Sequence, residues 1–353
     1  MTIAVILPPN EGFAPEAVGA IGLLVHRLLA AGAEGTVIGA PTAFPPFRDV
    51  PFIPAPGGWG LRRGIRYVRG VTRVLRRLRP RLIEVHNRPE IALGLADRFR
   101  DTPILLWLNN DPQTMRRTKT LADRAVLMRR MTRVVTASEW IRGRLLEGIG
   151  GQATVLPNCI DLPVLSHEPR EKLIMFAGRP VADKGVDAFV AACATVLPDL
   201  PGWRAQIIGS PRFAPHTPDT PFLAALRPAA AAAGVEMLGH MPHPDVMAAM
   251  QRAAIVAVPS RWEEPFGLTA LEAMACGAAL ICSRRGGLPE VAGEAALYIS
   301  VDEPSGFAHA LRTLAQDPAL CAAFGQAGRT RAAQFAAADA ARALTALRAE
   351  ILA

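Results

Sequence analysis

The sequence predicts an α/β protein built from two doubly wound, Rossmann-like domains, and three observations carry that expectation. Its 353 residues suffice for two domains at about 100–200 residues each. Short apolar runs alternate from end to end with helix-length amphipathic segments, the signature of βαβ units and parallel sheets. The alternation pauses over 162–170, where Pro163 and Pro169 fall, and restarts on the apolar run 173–177, as a chain does on entering a second domain.

The expected domains are therefore 1–165 and 166–335, with a C-terminal helix at 336–353 that can return to the first. In the first domain strands are expected at 2–7, 35–39, 81–85, 103–108, 133–136 and 153–156, and helices at 18–31, 60–79, 88–99, 120–131 and 138–148. Residues 41–58 hold six prolines and read as an irregular loop. In the second, strands are expected at 173–177, 204–208, 235–238, 254–258, 278–282 and 296–299, and helices fill 303–352. Two such domains facing each other would bring the carboxyl ends of both sheets to a central cleft, where ligands bind in this architecture.

Composition narrows the classes. Apolar residues make up 50% and charged residues 20% of the chain, which excludes a disordered, fibrous or disulfide-scaffold protein. The five cysteines are odd in number and form no C-x2-C pair, so a reducing cytosol is expected. The start, Met1-Thr2-Ile3-Ala4-Val5, has no basic n-region, and no long uncharged apolar run follows. The net charge of +8 is uneven, with +10 over 1–165 and −2 over 166–353, which points to an anionic partner for the first half. No recognition-helix motif or aromatic platform accompanies the arginines, so nucleic acid is not the expected partner. No G-x-G-x-x-G opens the first helix, which argues against a dinucleotide-dependent dehydrogenase.

Three stretches of the second half can carry chemistry. LIMFAGRPVADK at 173–184 ends a strand and delivers Arg179 and Lys184 before a helix; the pair reads either as a pyrophosphate clamp or as a solvated turn. VAVPSRWEEPFGLTALEAMACG at 256–277 puts Glu263 and Glu264 in a loop, starts a helix near Phe266 and Gly267, and sets Glu272 in its second turn. Free amides at that start suit a phosphate, and the two carboxylates suit sugar hydroxyls. SRRGGLPE at 283–290 supplies the flexible turn Gly286-Gly287.

Taken together these residues resemble the family 4 glycosyltransferases, whose fold is GT-B. Gly178-Arg179 and Lys184-Gly185 match GR-x4-KG, Glu264 and Glu272 match E-x7-E, Gly286 to Val291 match GG-x-PEV, and 157–161 match PNG-[VI]-D with Cys159 in place of Gly. The resemblance implies that Arg179 and Lys184 bind the donor diphosphate, with Gly267 and Leu268 lending amides. It further implies that Glu264, Phe266 and Gly267 hold the transferred sugar, that Glu272 takes the ribose, and that Gly239, His240 and Met241 lie at the base.

In the first half the family's glycine-rich loop corresponds to 7–20, with Gly19 where the diphosphate should approach backbone; Val18-Gly19 stands for the usual double glycine. His86, Asn87 and Arg88 end a strand. His86 reads as a catalytic or a structural histidine, and Asn87 and Arg88 as acceptor contacts. Many members carry a His where this chain has Asn109, which cannot shuttle a proton, so His86 and Asp111 remain to orient an acceptor hydroxyl. Acceptor contacts are thus expected from Asn87, Arg88, Asn109 and Asp111.

The implied reaction is retaining hexosyl transfer from a nucleotide diphosphate sugar, a UDP- or GDP-sugar, to a lipid-linked or phosphorylated envelope glycan such as lipopolysaccharide core or exopolysaccharide. No cofactor is implied, and without a D-x-D no metal. Alternatives are a GT-B nucleotide-sugar epimerase, a sucrose- or glycogen-type synthase, and a degenerate donor-binding protein. Residues 61–81 hold nine arginines and no acid. Leu61, Ile65, Val68, Leu75 and Leu78 form one helical stripe, and Arg62, Arg66, Arg69, Arg73 and Arg76 flank it. The flank reads as a solvated edge, or as a surface for an anionic bilayer that would place a cytoplasmic protein on the inner face of its membrane.

Overall fold

A computed structural model describes residues 2–55, 63–165, 169–211 and 220–353. The chain divides into two compact units, Met1–Asp161 with Phe335–Ala353, and Leu162–Gln334. Each holds one parallel sheet.

The sheet of the first unit runs from edge to edge as Phe52–Pro54, Thr36–Gly39, Ile3–Ile6, Leu82–His86, Ile104–Leu108, Arg133–Thr136 and Thr154–Val155. Every residue of Ile3–Ile6, Leu82–His86 and Ile104–Leu108 is buried, as expected when helices cover both faces of a parallel sheet. The sheet of the second unit runs Val235–Gly239, Arg204–Ile208, Glu171–Ala177, Ala253–Val258, Ala279–Ser283 and Ala296–Ile299. In both sheets the strand order reverses beside the unit's first long strand. That reversal opens a crevice at the carboxyl ends of Ile3–Ile6 and Leu82–His86 in one unit, and of Glu171–Ala177 and Ala253–Val258 in the other.

The structure departs from the sequence expectations in four places. Within the expected irregular loop at 41–58, Phe52–Pro54 form an edge strand parallel to Thr36–Gly39. An edge tolerates prolines because the outer side needs no donor, and the Val37 amide reaches the Pro51 carbonyl at 2.9 Å. The first helix starts at Ala20 instead of 18, because Phe13–Ala14 and Ala17–Val18 pair as a small antiparallel hairpin.

The basic helix, Arg63–Leu78, is turned relative to the expected stripe. Its buried face carries Tyr67, Val71, Val74 and Leu75, while Ile65 is 48% exposed. The Tyr67 hydroxyl donates to the Leu7 carbonyl at 2.7 Å, and this bond, invisible to a count of apolar residues, sets the rotation. Arg69, Arg73 and Arg76 are exposed, Arg66 is half-buried, and Arg62 lies outside the described residues.

The last helix, Ala337–Leu352, packs Ala337, Ala341, Leu344 and Leu347 into the core of the first unit with Leu24, Val25 and Leu28. It is fastened by Arg348, whose guanidinium donates to Glu84 Oε2 at 2.9 and 2.7 Å, with both side chains buried. The unit boundary after Asp161 falls before the expected 165/166 because Ile160 bridges Ala336 and exchanges backbone hydrogen bonds with Phe335 and Ala337.

Candidate functional site

In the second unit the loops after Glu171–Ala177 and Ala253–Val258 are fastened together. The carbonyl of Asp183 accepts from the amides of Arg261 and Trp262 at 2.8 and 2.9 Å, and Arg261 Nη1 pairs with Asp187 at 2.7 Å. Gly185 has φ +67°, and a Cβ there would stand 1.8 Å from the Pro259 carbonyl oxygen; only glycine lets the two loops come this close.

That closeness delivers Lys184 to Glu264. Glu264 Oε1 accepts from Lys184 Nζ at 2.5 Å and from Ser260 Oγ at 2.8 Å. The carboxylate is mostly buried and the ammonium partly open, so Lys184 keeps donors for a further anion. Arg179, at the end of the neighbouring strand, is exposed and has no side-chain partner among the described residues.

Glu264 is held from behind by the double-glycine turn. The Gly287 amide donates to the Glu264 carbonyl at 2.6 Å. The adjacent Glu263 is consumed by the same turn, through the Gly286 amide at 2.6 Å and Arg285 at 3.1 Å. Of the two neighbouring acids, only Glu264 therefore meets the lysine.

Phe266 is buried, and Gly267 caps the helix Leu268–Ala275 at φ +105° with no side chain on its first amides. The start of this helix, including Leu268, offers uncapped N–H groups of the kind that receive phosphate oxygens. One turn on, the buried Glu272 bonds through Oε1 to His243 Nε2 at 2.7 Å. His243 follows the turn where Gly239 has φ +75° and its carbonyl accepts from the Gly209 amide at 2.7 Å; His240 there is exposed and Met241 half-buried. Motif matching had no place for Ser260 or His243.

The first unit treats its expected residues differently. Gly19 does not present open backbone, since a Cβ there would lie 2.2 Å from Glu11 Oε1. The Glu11 carboxylate accepts from the Gly22 amide at 2.9 Å, so an acid of the chain occupies the start of the first helix. Burial pushes the Glu11 carboxyl above its ordinary value, against the pull of the Gly22 and Ile21 amides and the Arg88 and His86 charges.

His86 is enclosed, at 0% exposure, instead of pointing into open space. Its Nε2 meets Glu84 Oε1 at 2.9 Å, and its ring stacks on Trp107 at 5.3 Å. Strand alternation puts Glu84 and His86 on one face, and Arg348 completes the chain. Burial alone would raise the Glu84 carboxyl; Arg348 and His86 outweigh it and hold it at about 2.

Asn87, at φ +53°, accepts the Asn109 amide on Oδ1 at 3.1 Å, and Arg88 donates to the Asn87 carbonyl at 3.2 Å. Asp111, expected to orient a hydroxyl, accepts from the Gln113 amide at 2.9 Å and pairs with Arg144 at 3.2 Å. His86 Nδ1, Trp107 Nε1 and both amide atoms of Asn109 are buried with no hydrogen-bond partner among the described residues. Buried polar atoms left unpaired cost free energy.

Comparison with known proteins identifies relatives of the chain. The family "Glycosyl transferases group 1" matches residues 161–331, and "Glycosyltransferase Family 4" matches residues 21–163. The chain is 29% identical over 215 residues to a glycogen synthase of Mycobacterium tuberculosis, covering 58% of this chain and 50% of that protein. It is 33% identical over 174 residues to a D-inositol 3-phosphate glycosyltransferase of Segniliparus rotundus, covering 48% and 38%. The matches thus span half or less of the length of these relatives. Among solved structures, HepE of Anabaena in complex with UDP superposes with a TM-score of 0.78 at 17% identity, covering 99% of this chain and 100% of that one.

Proposed function

The chain belongs to the family 4 glycosyltransferases, with the GT-B fold, and on that premise we propose that it transfers a hexose, with retention, from a nucleotide diphosphate sugar to a lipid-linked or phosphorylated envelope glycan. The observation that carries the donor half is the meeting of Lys184 with Glu264 at 2.5 Å beside an uncapped helix start, with Arg179 earlier in the Lys184 loop, exposed and without a side-chain partner among the described residues.

In this reading Arg179, Lys184 and the amides of Gly267 and Leu268 bind the diphosphate and stabilise the charge that grows on it as it leaves. Glu264 and the Phe266–Gly267 main chain hold the hexose, Glu272 the ribose, and Gly239, His240 and Met241 the base. Glu264 and Glu272 are not a glycosidase acid and nucleophile: the leaving diphosphate needs cations, not a proton, and itself takes the proton of the incoming hydroxyl on the same face. Asn109 and His86 Nδ1 contribute to the acceptor side, with Arg88 at its edge. No metal or cofactor enters the scheme.

The acceptor assignment draws on charge. Arg69, Arg73 and Arg76 stand exposed on one helix, without an acid among the described residues to pair them, and such a surface suits an anionic bilayer. The protein would then act at the cytoplasmic face of its membrane. No described helix is long and apolar enough to cross one. The likeness to glycogen synthase favours a second reading, a neutral glucan acceptor. Incubation with UDP- or GDP-hexose and either a glycolipid extract or short glucans decides between them. The proposal expects labelled glycolipid, and labelled glucan alone would overturn its acceptor half.

A further inference from the structure

The two glutamates of the E-x7-E pair are each held by a nitrogen from another element, Glu264 by Lys184 at 2.5 Å and Glu272 by His243 at 2.7 Å. Lys184 belongs to the diphosphate clamp. His243 has no part in it, yet its placement is fixed. It opens the helix His243–Arg252 between Pro242 and Pro244, and the two rings restrict the backbone on both sides. The helix is tied a second time to the one bearing Glu272, since the Cys276 thiol, one turn beyond Glu272, donates to the Met247 carbonyl at 3.5 Å.

The imidazole is 33% exposed and the Glu272 side chain 11%, so the ring stands at the rim with the carboxylate behind it. A carboxylate only accepts, hence the proton of this bond sits on His243 Nε2. The His243 N–H takes one of a carboxylate's about four lone-pair sites, so this bond by itself does not exclude the hydroxyls of a vicinal diol.

Resting on the donor reading above, we propose that His243 is a positioning residue for the nucleotide's ribose. It holds Glu272 in the orientation that accepts the 2′ and 3′ hydroxyls together, and the preference for ribose over deoxyribose therefore runs through His243. A histidine that merely supported the fold would affect both kinds of nucleotide alike.

Titration calorimetry with UDP, GDP and ADP, each beside its 2′,3′-dideoxy counterpart, tests this on wild type, His243→Ala, His243→Gln and Glu272→Ala. The expected result is that wild type prefers the ribose form of the nucleotide it binds. His243→Ala weakens that form about tenfold, the cost of one hydrogen bond to a charged group, and leaves the dideoxy form unchanged. His243→Gln, whose amide N–H can donate to the same carboxylate, restores the preference. Equal weakening of both forms in His243→Ala, or no weakening, overturns the proposal while a preference lost in Glu272→Ala leaves the donor reading standing. A wild type that binds both forms alike, or binds none of the nucleotides, overturns the ribose assignment of Glu272 and the role of His243 with it.

Discussion

The two units carry similar residue types at the carboxyl ends of similar sheets and use them in opposite ways. In the C-terminal unit, Lys184, Ser260 and Glu264 come from separate loops to meet one another, and Arg179 is left without a partner among the described residues. In the N-terminal unit, Asp111 is taken by Arg144, Asn87 by the Asn109 amide, His86 by Glu84, which Arg348 also holds, and the start of the first helix by Glu11. One crevice leaves Arg179 exposed and Lys184 partly open, and the other spends most of its charges on its own framework. A polar residue at a strand end is therefore weak evidence of function until its partners are known.

The comparison can be broken most forcefully at Lys184. Lys184→Ala removes a cation aimed at a developing negative charge and is expected to lower the transfer rate by about 10²–10³-fold, whereas Asp111→Asn should leave the rate near wild type and lower only the melting temperature. Equal losses in an initial-rate assay would erase the contrast between the units. At Arg348, substitution by Met strands a buried carboxylate at Glu84 and should cost about 3–5 kcal/mol of stability, read as a large fall in melting temperature. The double change with Glu84→Leu should recover most of it.

Acid sharpens the same point. The Glu84 carboxyl is held at about 2, below its ordinary 4.5, so the stability it contributes is complete above pH 4.5 and is lost as pH falls towards 2. A urea titration series from pH 6 to 3 should show this slope in wild type and a flatter one in Glu84→Gln. The smallest effect belongs to Glu11, whose raised carboxyl pKa means that its charged form weakens the fold. Glu11→Gln should raise the melting temperature slightly at pH 7, and the gain should vanish below the carboxyl's ordinary range.

Much of this was legible in the residues. Apolar runs such as 104–108 announce buried parallel strands, and GR-x4-KG with E-x7-E located Arg179, Lys184, Glu264 and Glu272 because their spacing is imposed by a strand, a tight turn and a helix start. The remainder depends on contacts that no local pattern records. Tyr67 rotates its helix through a bond to Leu7, 60 positions away. Arg348 reaches Glu84 across 264 positions. His243 meets Glu272 only because two helices lie side by side, and Glu11 reaches the Gly22 amide because the hairpin at 13–18 folds it back.

The central claim, that the C-terminal unit is a nucleotide diphosphate site closed by Arg179 and Lys184, is tested most directly by thermal shift with UDP, GDP, ADP and their hexose conjugates on wild type and Arg179→Ala. A ligand that binds only the native state raises the melting temperature with its concentration. The account predicts a shift with one nucleotide family in wild type, and little or none in an Arg179→Ala protein that melts at the wild-type temperature without ligand. Folded wild type that responds to no nucleotide, or a shift undiminished by Arg179→Ala, would contradict it.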